Sequence, residues 1–384
     1  MSNETNTHPL RLESFAETLH VGRPNIGNKA NFLSHIEQMI DNRWLSNNGP
    51  FVQKFEENLA KYLSVKHVVA VCNGTVALEI AIRSLDLQGE IIVPSYTFVA
   101  TAHAVYWQGI RPVFVDIDPV THCIDPQAVL RAITPNTTGI IGVHLWGHPA
   151  NTIALDQIAR SKNLKVIYDS AHAFGVSSNG IMIGNFGNCE VFSFHATKFL
   201  NSLEGGAIAT NDDELAEKAR LIRNFGFKGF DNVIHPGTNG KMVEACAAMG
   251  LVNLESISEF VDINRRNYLA YKSRFATLPT LRLFEFNEAE KNNWQYVVVE
   301  VNDPMVSRDE IVTALHSKNV LARKYFWPGA HRMSPYKELF PWTDQLLSVT
   351  NEVAQQVIVL PTGTSVTLDD ISRICDIIQH TLSQ

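Results

Sequence analysis

The stretch Val166-Ile-Tyr-Asp169-Ser-Ala-His172-Ala-Phe-Gly175 gives the strongest indication of the fold. A short apolar run ends in an aspartate and is followed by small residues, which is typical of a buried strand in a parallel sheet. Open α/β sheets bind their ligands beyond the carboxyl ends of the strands. We therefore predict a parallel sheet with Asp169 at its ligand-binding edge, where the carboxylate could bind a metal, cap a helix or pair with a cation.

A lysine lies just past the next predicted strand, Glu190–Phe194. This strand runs into Ser193-Phe-His-Ala-Thr-Lys198, which is followed by Glu204-Gly-Gly206. The neighbours of Lys198 are apolar, so its amine would be partly desolvated, and desolvation lowers the pKa of an ammonium group. A Schiff-base lysine needs that property. A surface lysine whose stem lies on apolar residues would show the same local pattern.

A third feature lies upstream, in Cys72-Asn-Gly-Thr75. The predicted strand Val68–Val71 ends there, Gly74 permits close backbone approach, and a helix begins at about Thr75. Helix N-termini present free N–H groups to phosphate, although Asn-Gly-Thr is also an ordinary turn with a helix cap. Pyridoxal phosphate (PLP) needs a phosphate-binding loop, a carboxylate for its ring nitrogen and a lysine for its aldehyde. The chain supplies these three in that order.

Strands and helices alternate around these motifs. We predict strands at Val68–Val71, Glu90–Val93, Arg111–Val115, Gly139–Val143, Lys165–Tyr168, Glu190–Phe194 and Ala207–Thr210, with helices between them. Such alternation indicates a doubly wound α/β fold, with a mostly parallel sheet covered on both faces. After about Glu255 the pattern changes. We therefore expect a large domain at residues 1–254, with N-terminal helices, and a smaller α+β domain at residues 255–384.

Composition limits the class of protein. The 384 residues are 45% hydrophobic and 18% charged, which is ordinary for a globular protein. The net charge of −7 and the lack of a basic cluster argue against nucleic acid as a partner. No apolar run suits a membrane span or a signal peptide. The five cysteines have neither zinc nor disulfide spacing, so we expect no metal and a reduced, cytoplasmic setting.

The chain resembles the DegT/DnrJ/EryC1/StrS family of sugar aminotransferases, which are fold-type I PLP enzymes. Ser-Phe-His-x-x-Lys and Glu-Gly-Gly are the most specific of the shared motifs. The resemblance covers most of the chain, through Trp44–Pro50, Asn73–Leu78, Pro94–Thr101, Pro112–Asp118, Val143–Gly147, Asp169–Gly175, Ser193–Gly206 and Gly237–Glu244.

The resemblance assigns roles to further residues. It implies that Phe98 stacks on the cofactor ring, that His172 contacts the phenolic oxygen, and that Ser193 joins Gly74 and Thr75 at the phosphate. It also implies that Asn239 reaches the phosphate held by the neighbouring subunit, which would make the protein a homodimer with shared active sites. Without the resemblance, Phe98 and His172 would be ordinary core residues.

The same resemblance predicts the reaction. Lys198 would hold PLP and move protons as a general acid and base. An amino group would pass, through the PMP form, from a donor, expected to be L-glutamate, to a nucleotide-linked keto sugar, with dTDP-4-keto-6-deoxy-D-glucose favoured. Transamination at C3 or of a cyclitol ketone stays open, as does a non-catalytic PLP-binding regulatory protein. Relatives that act as dehydratases carry histidine in place of the lysine, so Lys198 disfavours that chemistry.

Overall fold

The computed structural model describes residues 12–384, and its centre is a seven-stranded sheet. The strand order is β2-β10-β9-β6-β5-β3-β4, and every strand is parallel to the others except β10, which is antiparallel to both of its neighbours. The strands in this sheet have these bounds: β2 His67–Val71, β3 Glu90–Pro94, β4 Arg111–Val115, β5 Thr137–Val143, β6 Lys165–Asp169, β9 Cys189–Ser193 and β10 Gly206–Thr210.

Helices cover both faces of this sheet, which confirms the predicted doubly wound α/β class. Apolar side chains of the strands pack against them in buried clusters on the two sides. The helices of this part are α1 Lys29–Asp41, α2 Pro50–Leu63, α3 Gly74–Ser84, α4 Ala100–Tyr106, α5 Pro126–Ala132, α6 Thr152–Lys162, α7 Asp213–Arg223 and α8 Glu244–Glu255. The next helix, α9 Ile257–Phe275, packs its buried Tyr268, Tyr271 and Phe275 with the C-terminal part of the chain. A two-stranded hairpin, β7 Ser177–Ser178 with β8 Ile181–Met182, lies between β6 and β9.

A second, smaller sheet lies in the C-terminal part of the chain. It is antiparallel, with the order β11-β12-β14. The elements here are β11 Leu281–Leu283, β12 Val297–Val301, α10 Arg308–His316, β13 Val320–Leu321, α11 Tyr336–Leu339, α12 Ser348–Gln356, β14 Val357–Leu360 and α13 Leu368–Leu382. The sequence predicts a strand over Trp294–Val301 and helices over Arg308–Lys318 and Leu368–Leu382, which correspond to β12, α10 and α13. It does not predict α12 or β14.

The beginning of the described chain packs with the C-terminal part. Leu19–His20, the short strand β1, pairs in parallel with β13, and Phe15 joins the apolar cluster that contains Tyr271. The division into residues 1–254 and 255–384 stays a prediction, because the first described residues and the C-terminal sheet share one core.

Buried polar contacts join the two sheets across the region between them. Asp116, just past β4, accepts hydrogen bonds from the backbone N–H groups of Val349 (2.9 Å) and Thr350 (2.8 Å) at the start of α12. His122 contacts the carboxylate of Glu300 on β12 at 2.6 Å. These contacts fix the small sheet beside the carboxyl ends of the large sheet's strands. No helix among residues 12–384 is long and apolar enough to cross a membrane.

Candidate active site

A cavity of about 640 Å³ opens where β6 and β9 end and α3 begins. Seven of the eight residues that the sequence singled out line it: Gly74, Thr75, Phe98, Asp169, His172, Ser193 and Lys198. The two of these residues that lie farthest apart in the sequence, Gly74 and Lys198, are separated by 124 positions. The large sheet therefore brings the lysine, the aspartate and the helix N-terminus into one site. Their roles toward a cofactor stay predictions.

Asp169 is a buried carboxylate at the carboxyl end of β6. One oxygen accepts a hydrogen bond from Oγ1 of Thr101 (2.9 Å), and the other accepts one from the backbone N–H of Ala171 (3.2 Å). Burial raises the pKa of Asp169, and these hydrogen bonds and the positive charge of Lys198 oppose the rise. Two hydrogen bonds leave much of the desolvation cost uncompensated, so this carboxylate favours a cationic partner in the cavity.

Lys198 follows β9 in a tight turn, in which its backbone N–H donates to the carbonyl of His195 (2.8 Å). Its flanking residues Phe199 and Leu200 are buried, as the sequence suggested. Burial lowers the pKa of the Lys198 amine to about 8, and the negative charge of Asp169 opposes part of that change. About one amine in ten is then unprotonated at pH 7, far more than for an exposed lysine, and the unprotonated amine is the nucleophile.

The N-terminus of α3 forms one wall of the cavity. Asn73 caps the helix, and its side chain accepts from the backbone N–H of Val76 at 2.9 Å. The first N–H groups of a helix have no partner within the helix, so those of Gly74 and Thr75 are available to a ligand. A helix N-terminus also carries partial positive charge, which favours an anion such as phosphate.

Two glycines are required by the close packing around this helix end. A Cβ on Gly74 would lie 2.9 Å from Cβ of Ser193, and one on Gly206 would lie 2.5 Å from the carbonyl carbon of Asn73. Both distances are shorter than real Cβ contacts. The Glu-Gly-Gly motif and the Asn-Gly-Thr loop therefore belong to one arrangement, in which β10 and the end of β9 support the start of α3.

His172 is buried against aromatic rings at the cavity wall. Its ring lies 5.8 Å from that of Trp146 and 4.6 Å from that of Tyr296. The backbone N–H of Trp146 donates to Nδ1 of His172 at 3.4 Å. Burial lowers the pKa of His172 well below its usual value, with the charge of Lys198 acting in the same direction. The imidazole is therefore neutral, and its proton resides on Nε2.

Phe98 lies at the cavity with 58% of its surface exposed. An aromatic ring so exposed inside a cleft is available to stack on a flat ligand. The sequence predicted its helix to begin at Phe98, whereas α4 begins at Ala100. Phe98 therefore lies in the turn before the helix, on the cavity side.

Some lining residues were not found from the sequence. Thr101, which holds Asp169, looked like any polar residue in a helix. Tyr296, Tyr325 and Phe326 come from the C-terminal part of the chain and also line the cavity. The sequence left two interpretations open for the loop containing Tyr325 and His331, which were contact with the sugar nucleotide and ordinary packing between domains. Tyr325 does line the cavity, while His331 is buried outside it and contacts Ser95 at 2.6 Å.

His195 and Glu204 form a pair at the cavity. Nε2 of His195 lies 3.6 Å from Oε1 of Glu204, and both side chains are exposed. The His195 ring is also held by Oγ1 of Thr197 at 2.9 Å. Neither residue had a decisive role in the sequence-based prediction, and their position at the cavity makes them accessible to a substrate.

Asn239 is the one predicted site residue that the chain does not bring to the cavity. It is exposed, in a loop whose backbone pairs with Asn224. Its predicted role requires a second subunit, so its position within one chain leaves that role a prediction.

Comparison with known proteins places most of the chain in one family. The profile of the DegT/DnrJ/EryC1/StrS aminotransferase family matches residues 27–379. A dTDP-4-amino-4,6-dideoxy-D-glucose transaminase of Shigella dysenteriae is 37% identical over 94% of this chain and 98% of its own length. A GDP-perosamine synthase of Caulobacter vibrioides is 35% identical over 88% of this chain and 92% of its own.

A solved structure agrees with these matches. The crystal structure of DesI in the presence of its TDP-sugar product has a TM-score of 0.91 and 41% sequence identity, and the match covers 97% of this chain and 95% of that one. The match extends over both sheets, so it includes the C-terminal residues that line the cavity as well as the large sheet.

Proposed function

The chain belongs to the DegT/DnrJ/EryC1/StrS aminotransferase family and is a sugar-nucleotide aminotransferase, and we propose that it uses PLP held at Lys198 to aminate a nucleotide-linked keto sugar. The observation that carries the proposal is the meeting of Lys198, Asp169 and the N-terminus of α3 in one cavity. Together they offer an amine, a carboxylate and a phosphate site, which are the three groups that PLP requires.

The charge of the site fits a pyridinium ring. Asp169 is buried, its pKa is raised by burial, and it has two hydrogen bonds. A protonated ring nitrogen would supply the missing opposite charge at low desolvation cost. The exposed ring of Phe98 would cover one face of the cofactor, and Nε2 of His172 would donate to its phenolic oxygen.

The helix end fits a phosphate group. Gly74 and Thr75 offer backbone N–H groups, and Ser193 adds a hydroxyl group from the end of β9. Cβ of Ser193 lies 2.9 Å from the position that a Cβ on Gly74 would take, so the two residues are close together. A phosphate here would accept hydrogen bonds from the three groups without any positively charged side chain, as phosphates at helix N-termini do.

When bound, PLP supplies an electron sink that stabilises negative charge at the carbon losing a proton. Once the donor's amino group had displaced it from the cofactor, Nζ of Lys198, whose pKa burial lowers to about 8, would accept that proton from the donor's α-carbon and return it to the cofactor carbon on the other side of the amino nitrogen. Asp169 would keep the ring nitrogen protonated, and Tyr296 and Phe326 contribute apolar surface to the cavity. The keto sugar then takes the amino group by the reverse sequence, which gives ping-pong kinetics.

The choice of sugar follows the relatives. Those named above are a dTDP-amino-sugar transaminase and a GDP-perosamine synthase, so we take dTDP-4-keto-6-deoxy-D-glucose as the first substrate and a GDP-keto sugar as the second. The product would be dTDP-4-amino-4,6-dideoxy-D-glucose, used in glycans, O-antigens or antibiotics. L-glutamate is proposed as the donor. The five cysteines are free, which suits the proposed cytoplasmic location.

A homodimer would complete the site. Exposed apolar side chains lie near Asn239 along the chain, at Phe225, Val233 and Ile234, and others lie on α1, at Leu33 and Ile40. Surface of this kind is often covered in an assembly. We propose that it is covered by a second subunit, whose Asn239 reaches the phosphate site.

The test is exchange of amino groups with defined sugars. The PMP form of the protein is mixed with dTDP-, UDP- and GDP-linked 4-keto-6-deoxy sugars, and the absorbance of the Lys198-bound cofactor is followed. The dTDP sugar should restore the band fastest, and Lys198→Ala should show no band with any sugar. Restoration of the band by none of the sugars, in protein that glutamate converts to the PMP form, would refute the substrate class.

A further inference from the structure

A chain of contacts runs from the small C-terminal sheet to His172. Arg282 on β11 contacts both carboxylate oxygens of Glu300 on β12, and Oε1 of Glu300 lies 2.6 Å from Nε2 of His122. The indole Nε1–H of Trp146 donates to Nδ1 of His122 at 3.3 Å. Trp146 in turn contacts His172 through its backbone N–H, 3.4 Å from Nδ1, and through its ring.

The donors along this chain determine both histidine tautomers. Nδ1 of His122 accepts from the indole, so its proton is on Nε2 and is donated to Glu300. Nδ1 of His172 accepts from the backbone of Trp146, so its proton is on Nε2 as well. Among residues 12–384 no hydrogen bond uses that Nε2–H, which leaves it available to a ligand in the cavity that His172 lines.

The backbone at Trp146 is strained and needs external support. Its φ is 60°, the left-handed region that a large side chain seldom adopts. Such a conformation persists only where the surroundings determine it, and it is common beside functional sites. Here the indole is fully buried, stacked on Phe326 at 5.2 Å with an interplanar angle of 11°, and hydrogen-bonded to His122. The left-handed turn is what aims the Trp146 N–H at His172.

We propose that His122 and Trp146 are positioning residues, which fix the tautomer and orientation of His172 so that its Nε2–H meets the phenolic oxygen of the bound cofactor. This inference rests on the proposed cofactor site, and it adds two residues that touch neither cofactor nor substrate.

The test uses substitutions of two histidines in this aromatic cluster, His122 and His148. His122→Phe keeps a ring against Tyr96 and Phe284, from which the His122 ring lies 5.7 and 4.9 Å, but it removes the acceptor for the indole. His122→Asn keeps an acceptor near the position of Nδ1 and loses the contact with Glu300. His148→Phe is the matched control, since the His148 ring packs on Phe284 at 4.3 Å and its buried Nε2 has no partner among the described residues.

The first readout is the pH midpoint of the visible absorbance of the PLP-loaded protein. A donor at the phenolic oxygen favours its ionised form and so lowers that midpoint. His122→Phe should raise the midpoint by about one pH unit, as expected for the loss of one hydrogen bond to a charged oxygen. His122→Asn and His148→Phe should stay close to the wild type.

The second readout is the ¹⁵N NMR spectrum of ring-labelled histidines in the same proteins. It should show His172 protonated at Nε2 in the wild type and as a mixture of tautomers in His122→Phe. An unchanged midpoint and an unchanged His172 spectrum in His122→Phe would overturn the positioning role, as would an equal shift in His148→Phe. A shift in His122→Asn equal to that of His122→Phe would overturn the role of the indole acceptor. If wild-type protein with PLP showed no Lys198-dependent band, the cofactor site itself would be refuted.

Discussion

The pKa of Lys198 has a direct consequence for cofactor loading. Burial lowers it to about 8, so about one amine in ten is unprotonated at pH 7, against roughly one in 2500 for an ordinary lysine. Lys198 should therefore present on the order of 200 times more reactive amine than an exposed lysine at that pH. The rate at which cofactor-free protein captures PLP should rise with pH and level off above pH 8.

The assay is trapping with borohydride at timed intervals, followed by mass spectrometry of the peptide that contains Lys198. The Lys198→Ala protein gives the background from surface lysines. Asp169→Asn should move the midpoint below pH 8, because the carboxylate of Asp169 raises the pKa of the amine and its removal ends that effect. A capture rate that kept rising tenfold per pH unit through pH 10 would refute the lowered pKa, and a midpoint moved upward by Asp169→Asn would refute the electrostatic account.

Four further results are expected. Asp169→Asn should retain PLP but lower turnover at least about 100-fold, since it removes the charge that keeps the ring protonated; unchanged turnover would exclude the pairing. Gly206→Ala should weaken PLP binding about tenfold or more in a fluorescence titration, because the new Cβ would lie 2.5 Å from the carbonyl carbon of Asn73. Unchanged, tight binding of PLP would show that the start of α3 does not hold the phosphate. Glu244→Gln should lower the free energy of unfolding in urea by about 1–3 kcal/mol. The buried carboxylate of Glu244 accepts hydrogen bonds from the backbone N–H groups of Phe51 (2.8 Å) and Val52 (3.0 Å) at the start of α2. A loss of PLP affinity without a loss of stability would contradict this purely structural role. Mixing Lys198→Ala and Asn239→Ala homodimers should restore activity once subunits exchange, since each heterodimer would hold one intact site; no recovery despite proven exchange would place Asn239 in its own subunit's site or in none.

The large sheet could be predicted because its central strands are buried on both faces. Segments such as Thr137–Val143 and Lys165–Asp169 are short apolar runs between helical patterns, and this alternation is typical of a parallel sheet covered by helices. The β14 strand, Val357–Leu360, was missed because an apolar run of four residues suits a strand or a buried helix segment equally well. Only its pairing with β12 distinguishes the two.

The site residues that could be predicted are those in which a reactive side chain follows a short apolar strand. Lys198 and Asp169 are unusual residues at the ends of apolar strands, so the sequence alone made them conspicuous. Thr101, His122 and Trp146 act through contacts with residues more than 20 positions away, and nothing local marks them. The left-handed backbone at Trp146 has no sequence signal either, because the residue there is neither glycine nor asparagine.

In the proposed reaction this protein moves an amino group to a nucleotide-linked keto sugar through Lys198. Incubation of the PLP-loaded protein with ¹⁵N-labelled L-glutamate and dTDP-4-keto-6-deoxy-D-glucose, with mass spectrometry of the sugar nucleotide, tests this reaction. We expect a dTDP-amino sugar that carries the label and is absent when Lys198 is replaced by alanine. A labelled product formed equally well by the Lys198→Ala protein would contradict this proposal.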